Sequence, residues 1–277
     1  MTRGSRIAWW CAGILPAAAL FWNPTREPAV VPVRYAEGAV HGFLELETEA
    51  GKVLAPGDLL QVPQGDEIES RMVFRFPDGS LFDERVTFTQ QRVFTLVRYH
   101  LVQRGPAFPE SMDARLDRRS GRYRVATTPR RGGEEEVHQG TIDLPPDVYN
   151  GMVITVAKNL PPGAAYRVHL VAFTPKPRLI ALNIEPTDAA RVLVGGGSKT
   201  AVHYVLKPRL GAVVGLFARL AGKAPPDNHA WIVTEDVPAF LRFEGPLYVG
   251  GPVWRIDLAA PRWPEPPPAA DAAPRRQ

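Results

Sequence analysis

EIESRMVFRFPDGSLFDERVTF, residues 67–88, decides the fold class. Ile68, Met72, Phe74 and Phe76 recur at even positions, while Glu67, Glu69, Arg71 and Arg75 occupy odd ones. Period-two alternation of this kind is a β-strand with one dry and one wet face. Pro77-Asp78-Gly79-Ser80 then supplies turn chemistry, because proline presets φ and glycine accepts a positive one. The alternation resumes with Phe82, Val86 and Phe88 on the dry side and Asp83, Arg85 and Thr87 on the wet side. Two such runs around that turn predict a β-hairpin.

The same rhythm extends in both directions. Upstream it predicts strands at Val31–Tyr35 and Val40–Thr48. Downstream it predicts one over Arg92–Gln103, with Val93, Val97, Tyr99 and Leu101 on a common face. Met112, Ala114 and Leu116 then alternate with Asp113, Arg115 and Asp117; Arg118–Gly121 turn the chain, and Tyr123 and Val125 return it. Later strands are expected at Tyr166–Phe173, Leu179–Ile184, Val202–Leu206, Ala230–Thr234, Phe240–Phe243 and Val253–Leu258. Roughly a dozen strands with short connections read as an antiparallel meander.

Two segments break the rhythm. Asp147–Leu160 reads as a helix that Pro145 and Pro146 introduce, with Asp147 at the positive end of its dipole. Val148, Met152 and Val156 share one side, Val153, Ala157 and Leu160 widen it, and Pro161-Pro162-Gly163 stops it. Leu210–Ala221 reads as a second helix on the spacing of Val213, Leu216, Phe217 and Leu220, although Gly211 and Gly215 each cost about 1 kcal/mol against Ala. The expected architecture is all-β: an antiparallel meander forming a half-barrel or open barrel, covered by two short apolar helices.

The ends carry an address. Arg3 and Arg6 precede an uncharged run from Ile7 to Trp22, whose later part holds the small residues Ala17, Ala18 and Ala19. This is the pattern of a secretory signal peptide over residues 1–22, with cleavage after Ala19 the best fit. It implies a periplasmic or secreted protein. The run falls short of the roughly 20 residues of a spanning helix, and Pro16 interrupts it. An uncleaved anchor at residues 7–22 is the alternative, and the only membrane contact expected. Residues 23–30 read as a flexible lead, 31–260 as one β domain, and the Pro- and Ala-rich 261–277 as a disordered tail. The single cysteine, Cys11, sits inside the apolar run behind Trp9 and Trp10, which argues against lipidation. Without it the mature chain has no disulfide and no thiolate metal site. The 29 prolines in 277 residues disfavour a helical fold. The net charge is +4, with Arg3 and Arg6 supplying two, so no dense basic stripe for nucleic acid is expected.

Tests for chemistry return little. VLVGGGSKT (192–200) has Ser198 and Leu193 where a phosphate loop requires glycine, and a strand follows it, so it reads as a hairpin turn. None of the 6 histidines pairs at metal-ligand spacing, although His169 and His203 could meet across a sheet. No serine sits in G-x-S-x-G. Asp83 and Glu84 are strand neighbours facing opposite ways, so they are no acid/base pair by themselves. Glu134-Glu135-Glu136 reads as a solvated loop. Arg118, Arg119, Arg122 and Arg124 make a basic hairpin, read as a solvated turn with anionic lipid or polysaccharide as its alternative partner. No catalytic residue, metal ligand or cofactor is expected. The apolar helices are the exception: over a concave sheet they either complete the core or roof a cavity. Tyr149, Met152, Val153, Val156, Leu216, Phe217 and Trp231 are the candidate lining.

Four stretches, FDERVTFTQ (82–90), HLVQRGPAFPE (100–110), DLPPDVYNGM (143–152) and GPLYVGGPVWRIDL (245–258), resemble an uncharacterised family of exported bacterial proteins, over about Val31 to Trp263. That resemblance implies an all-β domain and supplies no catalytic residues. More distantly, the layout is similar to the half-barrel of periplasmic lipoprotein carriers, which implies acyl chains under helices. The leading expectation is an exported, non-catalytic protein binding a lipid or other apolar small molecule. A structural or interaction module of the cell envelope, docking a protein partner, is the first alternative. An enzyme assembling His169, His203 and Asp227 from distant strands is the second.

Overall fold

The computed structural model describes residues 30–174, 176–194, 196–209 and 225–259. The expected signal segment, the tail from 261, and the second helix with Leu216 and Phe217 lie outside the described residues.

The chain builds one antiparallel sheet. Its first run is β1 (Val40–Thr48), β2 (Val53–Gln64), β3 (Glu67–Arg75), β4 (Leu81–Gln90), β5 (Phe94–Arg104), β6 (Glu110–Asp117), β7 (Arg122–Pro129) and β8 (Glu136–Thr141). A connector over 142–165 carries α1 (Val153–Asn159). The second run is β9 (Tyr166–Ala172), β10 (Arg178–Val194), β11 (Gly197–Arg209), β12 (Asn228–Val233), β13 (Ala239–Gly245) and β14 (Trp254–Leu258). The 14 strands lie in the order β8-β7-β6-β5-β4-β3-β2-β1-β14-β13-β12-β11-β10-β9. Each run is a meander, and β14 joins them by pairing with β1, Leu46 opposite Ile256. β8 and β9 do not pair with each other, so the sheet is open.

The sheet is nevertheless curled. Gln103 of β5 donates to the carbonyl of Leu247, between β13 and β14, at 2.8 Å. In a flat sheet the strands between them would hold those groups more than about 20 Å apart. Phe76 and Phe108, from the first run, likewise pack on Trp254 of β14. The curl turns the apolar stripes of all these strands toward one interior, which is the core.

The β3–β4 hairpin shows how the local chemistry does this. Asp78 accepts the Ser80 amide at 2.9 Å, Phe76 donates to the Ser80 carbonyl at 3.0 Å, and Gly79 takes φ 84°. Ile68 and Phe74, Phe82, Val86 and Phe88 are buried, as the alternation predicts. β6 and β7 follow their expected pattern too, with Ala114, Leu116 and Val125 inside.

Several boundaries differ. In β5 the register slips between Thr87 and Phe88 of β4, leaving Val97 as an extra residue. The core side therefore runs Phe94, Leu96, then Tyr99, Leu101, and Val93 and Val97 do not share it. Val31–Tyr35 is no strand. Beyond the Pro32–Val93 bridge, its amides go to the Tyr149 hydroxyl, the Arg92 carbonyl and the Asn159 side chain. The helix expected over Asp147–Leu160 begins only at Val153, because 147–149 pair along the edge of β9: His169 donates to the Asp147 carbonyl at 2.9 Å and Tyr149 to the His169 carbonyl at 3.0 Å. β2 was hidden by Pro56, Gly57 and Pro63, and β8 by its acidic start. β10 and β11 extend far past the expected strands and pair as a hairpin, with Val194 opposite Gly197. Their outer halves are exposed on both faces, so no alternation marks them.

Candidate functional site

Curling the sheet leaves a cavity of about 350 Å³ between its inner face and α1. The walls are apolar for the most part: Leu44, Leu59, Met72, Leu182, Leu206 and Phe243 come from six different strands. α1 contributes Val153, Ile154, Thr155 and Lys158 and packs on β12 and β13.

A seven-residue helix without a side-chain cap at its start needs tertiary anchors. Asn159, fully buried, supplies one. Its Oδ1 accepts the amides of Arg34 and Tyr35 at 2.9 and 2.7 Å, and its Nδ2 donates to the Thr155 carbonyl. Before the helix, Asn150 acts as a surrogate peptide for the edge of β9, accepting from the Val171 amide at 2.7 Å and donating to the Val171 carbonyl at 2.8 Å. Gly151 between them takes φ 68° and lies against Val86 and Tyr99, where a Cβ would come within 3.2 and 3.3 Å of each. In the last turn Lys158 meets the negative end of the dipole and pairs with Glu37 at 2.6 Å. Gln61 donates to the same carboxylate at 3.1 Å.

The polar feature of the interior is Glu84. It stands on the core side of β4, directly across from Met72 on β3 and Leu101 on β5. Tyr99 donates its hydroxyl to Glu84 Oε1 at 2.7 Å. Burial pushes the Glu84 carboxyl above its ordinary range, and the Tyr99 hydrogen bond partly opposes this. Burial, with the Glu84 charge beside it, pushes the Tyr99 phenol well above its ordinary value. A second polar group, Asn228 Oδ1, is buried with no donor among the described residues.

The expected lining residues divide. Val153 faces the cavity. Tyr149, Met152 and Val156 are buried in the core beside it, with the Tyr149 hydroxyl accepting the Val31 amide at 2.9 Å. Trp231 is on the opposite face of the sheet, because its neighbours Ala230 and Ile232 take the inner positions of β12. There it stacks on His203 at 4.5 Å, next to His229, whose Nδ1 is 2.9 Å from His203 Nε2. His203 also meets Asp188 at 2.9 Å. His169 does not approach this group. The register sets it two strands across and about 20 Å along from His203, and it pairs instead with buried Asp147 at 3.0 Å. Asp227 is exposed ahead of β12 and bonds to neither histidine. The proposed three-residue enzyme site is therefore not assembled.

Glu84 was missed, yet its signal was present: position 84 has the parity of Phe82, Val86 and Phe88. Asn228 had no comparable signal.

The outer face of the first run carries a row that no local pattern shows. Arg71, Arg85, His100, Arg115 and Arg124 stand directly opposite one another across β3 to β7. Asp83 bridges Arg71 and Arg85, and Asp113 bridges His100 and Arg115.

Among the described residues no cluster of three His, Cys, Asp or Glu side chains is set to hold a metal, and no helix is long and apolar enough to cross a membrane. No protein-family model matches the chain, and no curated protein matches it. Among solved structures, the chain is similar to the beta-barrel-like protein of domain of unknown function DUF1849 from Brucella abortus. The identity is 10%, the match covers 81% of this chain and 98% of that one, and the TM-score is 0.41.

Proposed function

We propose that this chain is an exported, non-catalytic binding protein that holds a lipid or other apolar small molecule inside the curled sheet, beneath α1. The observation that carries the reading is the apolar-walled cavity of about 350 Å³. Small-molecule sites span roughly 300–1,000 Å³, are mostly apolar, and hold a few placed polar groups. Protein cores are otherwise close-packed, so a gap of this size inside the curl is more than ordinary packing leaves. Export enters through the uncharged run Ile7–Trp22 behind Arg3 and Arg6.

Native mass spectrometry of the protein purified from its own envelope, with organic extraction of the same sample, tests this. A bound mass that extracts into solvent is expected. A protein that is empty and also takes up no neutral apolar dye overturns the reading.

The second reading, an envelope interaction module, is favoured by the outer row of Arg71, Arg85, Arg115 and Arg124. It requires a stoichiometric, acidic protein partner whose capture weakens with salt, as exposed charge pairs do.

A further inference from the structure

Among the described residues, three ionisable side chains line the cavity: Glu84, Tyr99 and Lys158. Lys158 is already neutralised, with Nζ 2.6 Å from one Glu37 oxygen and 2.8 Å from the other. Tyr99 commits its proton to Glu84 Oε1. Gln61 and Asn150 commit their amide donors to Glu37, the Gly38 carbonyl and the Val171 carbonyl. The hydroxyls of Ser70 and Thr155 in the wall are neutral, so among the described residues the lining charge without a cationic partner is Glu84. Glu84 Oε2 has no hydrogen bond among the described residues, and the side chain opens on the cavity. Asn228, also in the wall, has its Oδ1 buried without a donor among the described residues.

Glu84 is half-buried beside Met72, Leu101 and Val86, and a carboxylate partly withdrawn from water gains from a cationic partner. A ligand that brings a positive donor supplies that partner and forms a charge-assisted hydrogen bond. A ligand with an anionic end meets like charge instead. Resting on the cavity reading above, we propose that the ligand is a single-chain amphiphile whose polar end is a protonated amine held by Glu84. Its hydrocarbon chain lies along the leucine and phenylalanine walls.

The test is displacement of Nile red, a neutral apolar dye, from the purified chain at neutral pH. Decylamine, decanol and decanoate share one chain and differ only at the polar end. Decylamine is expected to displace the dye at a concentration about tenfold or more below that of decanoate, with decanol between them. Glu84→Gln is expected to bring amine and carboxylate within about threefold of each other, because the charge is gone and the shape is kept. Tyr99→Phe, which retains the carboxylate, is expected to keep the amine preference. Decanoate binding as well as decylamine in the wild-type protein overturns the proposal, as does a preference that survives Glu84→Gln. Should Glu84→Gln not fold, the wild-type ranking and Tyr99→Phe decide. Equal displacement by all three compounds overturns the amine while leaving the cavity reading intact; failure of the dye and all three to bind removes both.

Discussion

Tyr99 and Phe173 stack with centroids 5.5 Å apart and rings 3° from parallel. One belongs to β5 and the other follows β9, which lie far apart in the ladder order, so the stack exists only because the sheet curls until its two halves meet. Gly151 rests on this junction and opens the way into α1. Gly151→Ala places a side chain at φ 68° and presses a methyl onto Val86 and Tyr99. The expected loss is about 2 kcal/mol, read by urea denaturation. A loss under about 0.5 kcal/mol would show that the junction yields.

The Glu84 carboxyl has a folded-state pKa raised chiefly by burial. The folded state then binds its proton more tightly than the unfolded chain does. This group destabilises at neutral pH, and the penalty fades as pH falls toward the ordinary carboxyl value of about 4.3. Without ligand, Glu84→Gln is expected to raise the urea midpoint at neutral pH, with the gap closing in acid. A variant less stable than wild type at neutral pH contradicts this.

Asp83 behaves in the opposite sense. Burial pushes its carboxyl up, but hydrogen bonds from Arg71 and Arg85 outweigh burial and bring it to about 2. Its contribution is full above the ordinary carboxyl value and is lost as pH falls through about 2. Both guanidinium groups reach solvent, so the contribution is discounted to about 1 kcal/mol. Asp83→Asn is expected to cost that much at neutral pH and little at the acid end, measured by denaturation across the range.

Asn159→Ala strips the partner from two amides at once, those of Arg34 and Tyr35. Each stranded donor costs about 1–3 kcal/mol, so a loss of about 2–6 kcal/mol is expected. Hydrogen exchange provides the specific readout: the Arg34 and Tyr35 amides should lose protection while those of the β3–β4 hairpin keep theirs.

Val153→Phe adds bulk to a half-buried position on the roof. Nile red uptake is expected to fall by about tenfold or more, with stability changed by less than about 1.5 kcal/mol. Undiminished uptake would mean that the dye binds elsewhere.

The hairpin over 67–88 could be read directly because its alternation is unbroken and its turn residues are specific. Glu84 was equally open to reading, since the parity that turns Phe82 and Val86 inward turns it inward as well. β5 was misread at one residue: Val97 bulges, and every side chain before it changes face. A bulge follows from how two strands fit together, so the pattern within one strand does not announce it. The shortened α1 has a similar cause. Asp147 to Asn150 are compatible with a helix, but the unpaired edge of β9 offers them hydrogen bonds that a helix start would leave unmet.

Alternation, turn chemistry and proline content were enough to specify an antiparallel all-β chain and which face of most strands is dry, because those properties depend on neighbours two to four residues away. The cavity, the curl that creates it, the Lys158–Glu37 pair that leaves Glu84 without that cation, and the meeting of His203 with His229 arise between residues remote along the chain. Each depends on how many strands stand between two side chains and how sharply the sheet bends, and these are settled only when all the strands pack around one interior.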